Sequence, residues 1–273
     1  MLSTRRTRVA LNDTDVSDRL RQLLTRRLNK PRQRQRLMWP QLSRFEAGVT
    51  DPADRRADSA RGPLVRAAAH QFAHKPYGVV NLDDVVAAVE ITRGAMYFHF
   101  PSKHALSTAV VEEARAVGCE AAAGVLANKL SGIETLIDLS YLVAVLDLCE
   151  DVVRAGLYLL ENIGRAEGLA VLRYREAVDA LTPIARRAID EGDIVEGRDP
   201  QDVARLLVAT YIGARHTSDL DNPKEFLLDL EKTWMILLLP GFANPERMSY
   251  LSQLIRRRTA VALRKVAAPR PKS

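Results

Sequence analysis

Six residues of the segment 92–103 have side chains or backbone suited to binding DNA. Arg93 can form paired hydrogen bonds to O6 and N7 of guanine, because its guanidinium presents parallel N–H groups. The hydroxyls of Thr92 and Tyr97 can reach phosphate oxygens, and Gly94 lets the backbone approach DNA because it has no side chain. The predicted DNA-contacting set is Thr92, Arg93, Gly94, Tyr97, His99 and Lys103.

Some of these side chains could have a structural role instead of contacting DNA, and the sequence leaves both alternatives open. Tyr97 could be a core residue, His99 could be a packed ring, and Lys103 could be a solvated lysine at the start of a helix. For Phe98 and Phe100 we expect burial in the core.

The flanking sequence predicts the elements that position this segment. Asn81 can cap a helix of about eight residues, and a tight turn at 90–92 follows that helix. A second short helix, capped by Thr92, ends at Phe100, and Ser102 can cap the next helix. This is the layout of a helix-turn-helix, in which the first helix holds the N-terminal end of the second toward the major groove.

Charge is distributed unevenly along the 273 residues, whose net charge is +6. Residues 1–56 contain 14 Lys and Arg against 6 Asp and Glu, and residues 242–273 contain 8 against 1, so the centre is acidic. Both ends could be solvated tails or arms that touch the phosphate backbone. If the ends alone bind DNA, the chain would be a non-sequence-specific architectural protein, which is the alternative to a sequence-specific regulator.

The remainder of the chain, from residue 57, has helical periodicity with no convincing strand pattern. We therefore predict an all-α protein with an N-terminal three-helix domain that contains the helix-turn-helix and a C-terminal helical bundle. Bundles bury ligands between helices. Candidate pocket residues, each of which could equally be a core or surface residue, are Tyr141, Arg154, Tyr158, Tyr174 and His216.

Other classes of protein lack support in the sequence. There is no Gly-rich phosphate loop and no GxSxG motif, so we do not expect an enzyme or a cofactor. His70 and His74 stand four apart, but no third metal ligand accompanies them, so we expect no metal site. No apolar run is long enough for a membrane helix, and Cys119 and Cys149 fit reduced thiols, so we expect a cytoplasmic protein.

The run from Thr92 to Lys103 resembles the DNA-binding signature of TetR-family regulators, and the helix at 64–72 stands at the family's spacing. The Tyr-Phe-His-Phe sequence at 97–100 and the segment 152–156 resemble its γ-butyrolactone-receptor-like branch. The chain departs from the family at three positions near the helix-turn-helix. They are Pro76 and Glu90, where Gly is usual, and Val80, where Thr is usual. Glu90 falls in a turn where we expect a positive φ, which costs a residue other than glycine on the order of 1 kcal/mol.

The resemblance implies a ligand-responsive repressor that binds a palindromic operator as a homodimer, although a TetR-like activator stays open. It implies a DNA-binding domain at 57–106 and a regulatory and dimerisation domain at 107–241. Outside the resemblance, the charge distribution predicts a basic extension at 1–56, which could be partly disordered, and a basic C-terminal helix and tail at 242–273.

The implied dimer helices span 201–217 and 224–238. Their predicted interface residues are Leu206, Ala209, Tyr211, Gly213, Leu227, Leu230, Trp234 and Leu237. The branch often has Trp where this chain has Ala177, so the effector need not be a butyrolactone. The chain has few polar side chains suited to a pocket, so we expect a small apolar effector.

Overall fold

A computed structural model describes residues 60–268, and regular structure in this range is helical except for one isolated bridge between Ile194 and Ala243. The predicted all-α class is confirmed. The predicted basic extension at 1–56 and the last five residues, 269–273, lie outside the described residues. No helix in the described range is long and apolar enough to cross a membrane.

The first four helices contain the predicted helix-turn-helix. They are α1 (Arg61–His74), α2 (Leu82–Val89), α3 (Arg93–His99) and α4 (Lys103–Leu126). The seven further α-helices of the described range are α5 (Gly132–Cys149), α6 (Asp151–Asn162), α7 (Leu169–Asp190), α8 (Pro200–Thr217), α9 (Pro223–Thr233), α10 (Leu239–Phe242) and α11 (Met248–Ala267). A π-helical segment, Trp234–Leu238, joins α9 to α10, and a 3₁₀ turn, Pro245–Arg247, precedes α11.

Side-chain caps fix where the helices of the helix-turn-helix begin. The side chains of Asn81, Thr92 and Ser102 accept hydrogen bonds from the backbone N–H groups of the first turns of α2, α3 and α4. Each cap satisfies an N–H group that has no partner within its helix. Glu90 ends α2 at φ 56° and ψ 38°, in the left-handed region where glycine is favoured. The caps and this conformation agree with the sequence predictions.

Two hydrophobic cores organise the described helices. The first core joins α1–α4 with α6, which contributes Ala155, Leu159 and Leu160. The second core is built mainly from α5, α7, α8, α9 and α11. The basic helix α11 inserts Leu251 and Ile255 into the second core, so it packs as part of the regulatory bundle.

The helices α4 and α6 approach each other unusually closely. A Cβ atom placed on Gly156 of α6 would lie 2.2 Å from the Cβ of Ala114 in α4. Real side chains do not approach to this distance, so glycine is the residue that permits this crossing. Because α4 continues from the helix-turn-helix, and α6 packs in the first core and also contacts α5 and α7, this crossing connects the DNA-binding helices to the bundle.

Candidate nucleic-acid interface

The short helix α3 buries one face and exposes the other. Met96 and Phe100 stand four residues apart and are both nearly fully buried in the first core. Tyr97 is 50% exposed and Phe98 is 76% exposed, so the expectation that Phe98 is a core residue is wrong. Two residues along an α-helix rotate a side chain by about 200°, so Phe98 cannot share the face that Met96 and Phe100 use.

Residues at the N-terminal end of α3 are also exposed to solvent. Thr92, Arg93 and Gly94 are all exposed, and the Thr92 hydroxyl accepts the cap hydrogen bond from Ala95 N–H at 3.1 Å. The fold therefore gathers four of the six predicted DNA-contacting residues, Thr92, Arg93, Gly94 and Tyr97, on one accessible end and side of the helix. Phe98 joins this surface as an exposed aromatic ring that the sequence pattern did not single out.

Arg93 is paired within the helix-turn-helix. Its Nε and Nη2 atoms donate to the two carboxylate oxygens of Asp83, near the start of α2. This pairing lowers the pKa of Asp83 and raises the pKa of Arg93. Both side chains are exposed, so water and salt screen the pair and it can exchange with a guanine edge or a phosphate.

Lys103 and His99 are held more tightly than the exposed residues of α3. The Lys103 ammonium donates to the carbonyl oxygen of Val80 at 2.6 Å and lies 4.7 Å from the centre of the Tyr77 ring. Partial burial lowers the pKa of Lys103. His99 is half-buried, with its ring between those of its two phenylalanine neighbours. In this structure Lys103 connects the start of α4 to the segment before α2.

The five predicted pocket residues do not converge on one cavity. Tyr158 and Tyr174 pack at the edge of the first core, where Tyr174 donates to Glu161 of α6. His216 places Nε2 3.4 Å from Glu161 Oε2. Arg154, also on α6, instead donates to Asp221 at 2.5 Å. These four residues thus lie on or beside α6, but they do not line one shared cavity.

Tyr141 lies apart from this group, buried in the second core. Its hydroxyl lies 2.7 Å from the Thr259 hydroxyl, in hydrogen-bond contact with α11. Burial raises the pKa of Tyr141 well above its usual value. An open groove of about 1200 Å³ lies between α1, the α2–α3 turn, the α5–α6 corner and the end of α11. None of the five predicted pocket residues lines this groove.

The residues predicted for the dimer interface divide between core and surface. Leu227, Leu230 and Trp234 are at most 2% exposed and belong to the chain's own second core. Tyr211 packs against that core and donates to the buried Asp147 at 3.0 Å. The exposed members are Leu206, Ala209, Gly213 and Leu237, with Leu206 at 46% and Leu237 at 65%. The strong apolar pattern of α9 thus reflects intrachain packing.

The geometry of the helix-turn-helix has a counterpart in known proteins. The family model of bacterial regulatory proteins of the tetR family matches residues 64–110, which span α1 from its fourth residue to the first turns of α4. Residues 64–110 of the chain resemble the DNA-binding region of TetR-family regulators. The sequence prediction of this family is therefore confirmed.

Proteins similar to this chain include receptors of the predicted branch. The A-factor receptor protein of Streptomyces griseus is 23% identical over 191 residues, which are 69% of this chain and 65% of the relative, just under two thirds of its length. A crystal structure of a γ-butyrolactone receptor, described as ArpA-like, has a TM-score of 0.62 at 27% identity and covers 76% of this chain and 99% of that one.

A third similar structure includes DNA. CprB of Streptomyces coelicolor, a TetR-family protein, was solved in complex with its biological operator sequence. It has a TM-score of 0.63 at 26% identity and covers 76% of this chain and 99% of that chain. The likeness to the γ-butyrolactone-receptor branch, first seen at residues 97–100 and 152–156, is confirmed by these neighbours.

Proposed function

We propose that this protein is a cytoplasmic TetR-family transcriptional repressor that binds a palindromic operator as a homodimer and is released by a small, largely apolar effector. The observation that carries this proposal is the exposed face of α3, held by the capped helix α2 within a segment that matches the family's DNA-binding region. Two such helices about 34–36 Å apart in a dimer read two half-sites on one side of DNA.

Arg93 is the proposed base-reading residue. Asp83 holds its guanidinium in the free protein through both carboxylate oxygens, so the arginine does not need to search many rotamers before it meets DNA. DNA binding has a cost at Asp83, because this carboxylate must either lose its pair with Arg93 or keep its negative charge beside the phosphates. Thr92, Gly94, Tyr97, His99 and Lys103 remain the proposed backbone-positioning contacts.

The proposed effector acts through α6, because this helix contacts both regions of the molecule. The Tyr158 hydroxyl of α6 accepts a hydrogen bond from the Tyr77 backbone N–H at 3.2 Å, in the segment between α1 and α2. Gly156 places α6 directly against α4. An effector that displaces α6 near Tyr174 or His216 would therefore move α4 and change the spacing of the two recognition helices.

Dimerisation is proposed through the exposed parts of α8 and of the segment that follows α9. Leu206, Ala209 and Gly213 recur at helical spacing on α8, where a small-residue face lets another helix approach. Ile236 and Leu237 of the π-helical segment are 67% and 65% exposed. Large neighbouring apolar side chains left exposed in a monomer are typical of a protein interface.

The experiment that tests the proposed function is selection of a random duplex pool near physiological salt. The proteins compared are the wild type, Arg93→Ala, Asp83→Asn and Asp84→Asn. We expect an enriched palindrome that Arg93→Ala fails to enrich. Asp83→Asn removes a negative charge and releases Arg93, whereas Asp84→Asn removes the same charge from a residue that pairs with Lys75 instead.

The comparison of the two aspartate variants separates Arg93 release from charge. If Arg93 reads a base, Asp83→Asn should change operator affinity several-fold more than Asp84→Asn, and the two should have equal salt slopes. Equal weak binding by all four proteins, with no enriched sequence, would refute the proposal and support the architectural alternative that acts through the basic ends.

The dimer surface has its own test. We expect Leu237→Glu to shift sedimentation from dimer toward monomer, because it places a charge in an apolar interface. Leu172→Glu is the matched control, since Leu172 on α7 is also exposed, at 45%, but lies outside the proposed surface. A wild type that sediments as a monomer, or a Leu237→Glu protein that remains fully dimeric, would contradict this interface.

A further inference from the structure

Two histidines on α1 share one face of the helix that begins the DNA-binding region. His70 and His74 stand four residues apart, and their ring centres are 5.0 Å from each other. Histidines at this spacing on a helix can bind one metal ion together. The sequence offered no third ligand near them, so the pair alone did not indicate a site.

The fold supplies a third ligand from a distant part of the chain. Asp151, the first residue of α6, places Oδ2 2.6 Å from His70 Nδ1 and Oδ1 3.4 Å from His74 Nε2. One ligand atom from each of the three residues lies within 4.8 Å of the others. His70, His74 and Asp151 are 64%, 41% and 26% exposed in their side chains, so an ion can reach them from solvent.

The distances suit a small tetrahedral cation. Bonds of about 2.0–2.2 Å to nitrogen and oxygen place neighbouring ligands roughly 3.3 Å apart in a tetrahedron. The His74–Asp151 separation of 3.4 Å already has this value. The His70 hydrogen bond of 2.6 Å ends on the other carboxylate oxygen, Oδ2, so a single oxygen of Asp151 must turn to face both nitrogens as the metal replaces the shared proton. Three protein ligands leave the fourth position to water.

The charges beside the three ligands do not oppose a cation. The groove of about 1200 Å³ next to them is lined by Glu90 and Glu150 as well as by Arg66. Lys265 lines the groove as well, so two carboxylates stand against two cationic side chains along it. With Asp151, the local balance is negative and favours a divalent cation over an anion.

We propose that His70, His74 and Asp151 bind a divalent cation of the zinc class. This site joins α1 of the DNA-binding region to the first turn of α6, and it goes beyond the repressor function proposed above. The described residues include two further pairs of histidine and carboxylate, His104 with Glu167 and His216 with Glu161, at 3.3 Å and 3.4 Å. Each of these pairs lacks a second histidine, and within residues 60–268 only the α1–α6 set has three metal-ligating side chains within reach of one another.

The test uses the full-length protein without an affinity tag. Zn²⁺ binding is measured by calorimetry, and Co²⁺ binding by its visible absorption, which reports tetrahedral coordination. The proteins compared are the wild type, His74→Gln, Asp151→Asn and the matched control His104→Gln. We expect saturable binding of one ion per chain, at least about tenfold weaker in His74→Gln and Asp151→Asn and unchanged in His104→Gln.

Two further readouts keep the test independent of folding and of DNA binding. Zn²⁺ should raise the midpoint of thermal unfolding of the wild type and of His104→Gln but not that of His74→Gln. Circular dichroism of each metal-free variant shows whether it is folded.

Two results would overturn the assignment. One is the absence of saturable binding by the wild type, and the other is binding that His74→Gln and Asp151→Asn leave intact. Both readouts are made without DNA. A failure of the metal site is therefore distinguishable from a failure of the proposed repressor function.

Discussion

Replacement of Gly156 by alanine tests whether the α4–α6 crossing holds the DNA-binding helices in place. The new Cβ would lie 2.2 Å from the Ala114 Cβ, whereas non-bonded carbons prefer about 3.5–4.0 Å. The two helices must separate locally by roughly 1.5 Å to relieve this contact. The next neighbours, the Val110 oxygen at 3.5 Å and the Ala114 Cα at 3.7 Å, would be in ordinary contact.

Overpacking of this kind costs about 1–3 kcal/mol. For a domain of this size, each kcal/mol lowers the Tm by roughly 2–4 °C. We therefore expect Gly156→Ala to lower the urea midpoint at an unchanged slope, and to weaken operator binding because α4 carries the helix-turn-helix. Both measurements are made at one fixed protein concentration, since dimerisation would contribute to the apparent stability.

Two variants separate the clash from the effect of adding alanine to a helix. Gly124→Ala adds a methyl group to an exposed position of α4 with no atom within 4 Å, and should stabilise by up to about 1 kcal/mol. The double variant Ala114→Gly with Gly156→Ala moves the methyl group to the opposite helix and should return stability close to that of the wild type. If Gly156→Ala loses no stability, or the double variant loses the sum of both single losses, the reasoning about this crossing is refuted.

Three other perturbations follow from buried or strained groups. Arg215→Met removes the ion-pair partner of the fully buried Asp147, which lies 2.8 Å away, and leaves the Tyr211 hydroxyl as a neutral donor; it should cost about 3–5 kcal/mol. Burial raises the pKa of Asp147, so protonation of this carboxylate favours the folded state. The stability lost in Arg215→Met should therefore be smallest in acid, and it should grow as the pH rises through the pKa of Asp147. Glu90→Gly should stabilise by about 1 kcal/mol, because φ 56° strains a side chain that glycine lacks. Thr92→Ala removes the cap of α3 and should cost about 0.5–2 kcal/mol, while Thr92→Ser retains the cap.

Denaturant unfolding checks all three, and each has a result that contradicts its reasoning. For Arg215→Met it is a deficit that does not change between acidic and neutral pH, which would mean that Asp147 does not carry the cost. For Glu90→Gly it is a loss of stability, which would show that the Glu90 side chain contributes more than its backbone strain costs. For Thr92 it is an alanine variant as stable as the serine variant.

Sequence alone determined the local geometry of the helix-turn-helix. The caps Asn81, Thr92 and Ser102, and the left-handed residue Glu90, are all where the pattern predicts them. Each of these features depends on hydrogen bonds or backbone angles within two to four residues, so neighbouring residues suffice to fix it. The family resemblance rests on the same short-range pattern.

Tertiary structure decided which side chains are free to act. Periodicity cannot tell a helix face that packs on its own subunit from one that packs on a partner, so Trp234 and Leu227 were predicted at the interface but lie in the core. The same limit applies to Phe98, whose apolar ring favours burial but is exposed in the structure. Asp151 is 77 residues from His74, and only the packing of α6 against α1 brings the third ligand to the two histidines. Helical periodicity fixes which residues share a face, and the packing of separate helices decides what that face meets.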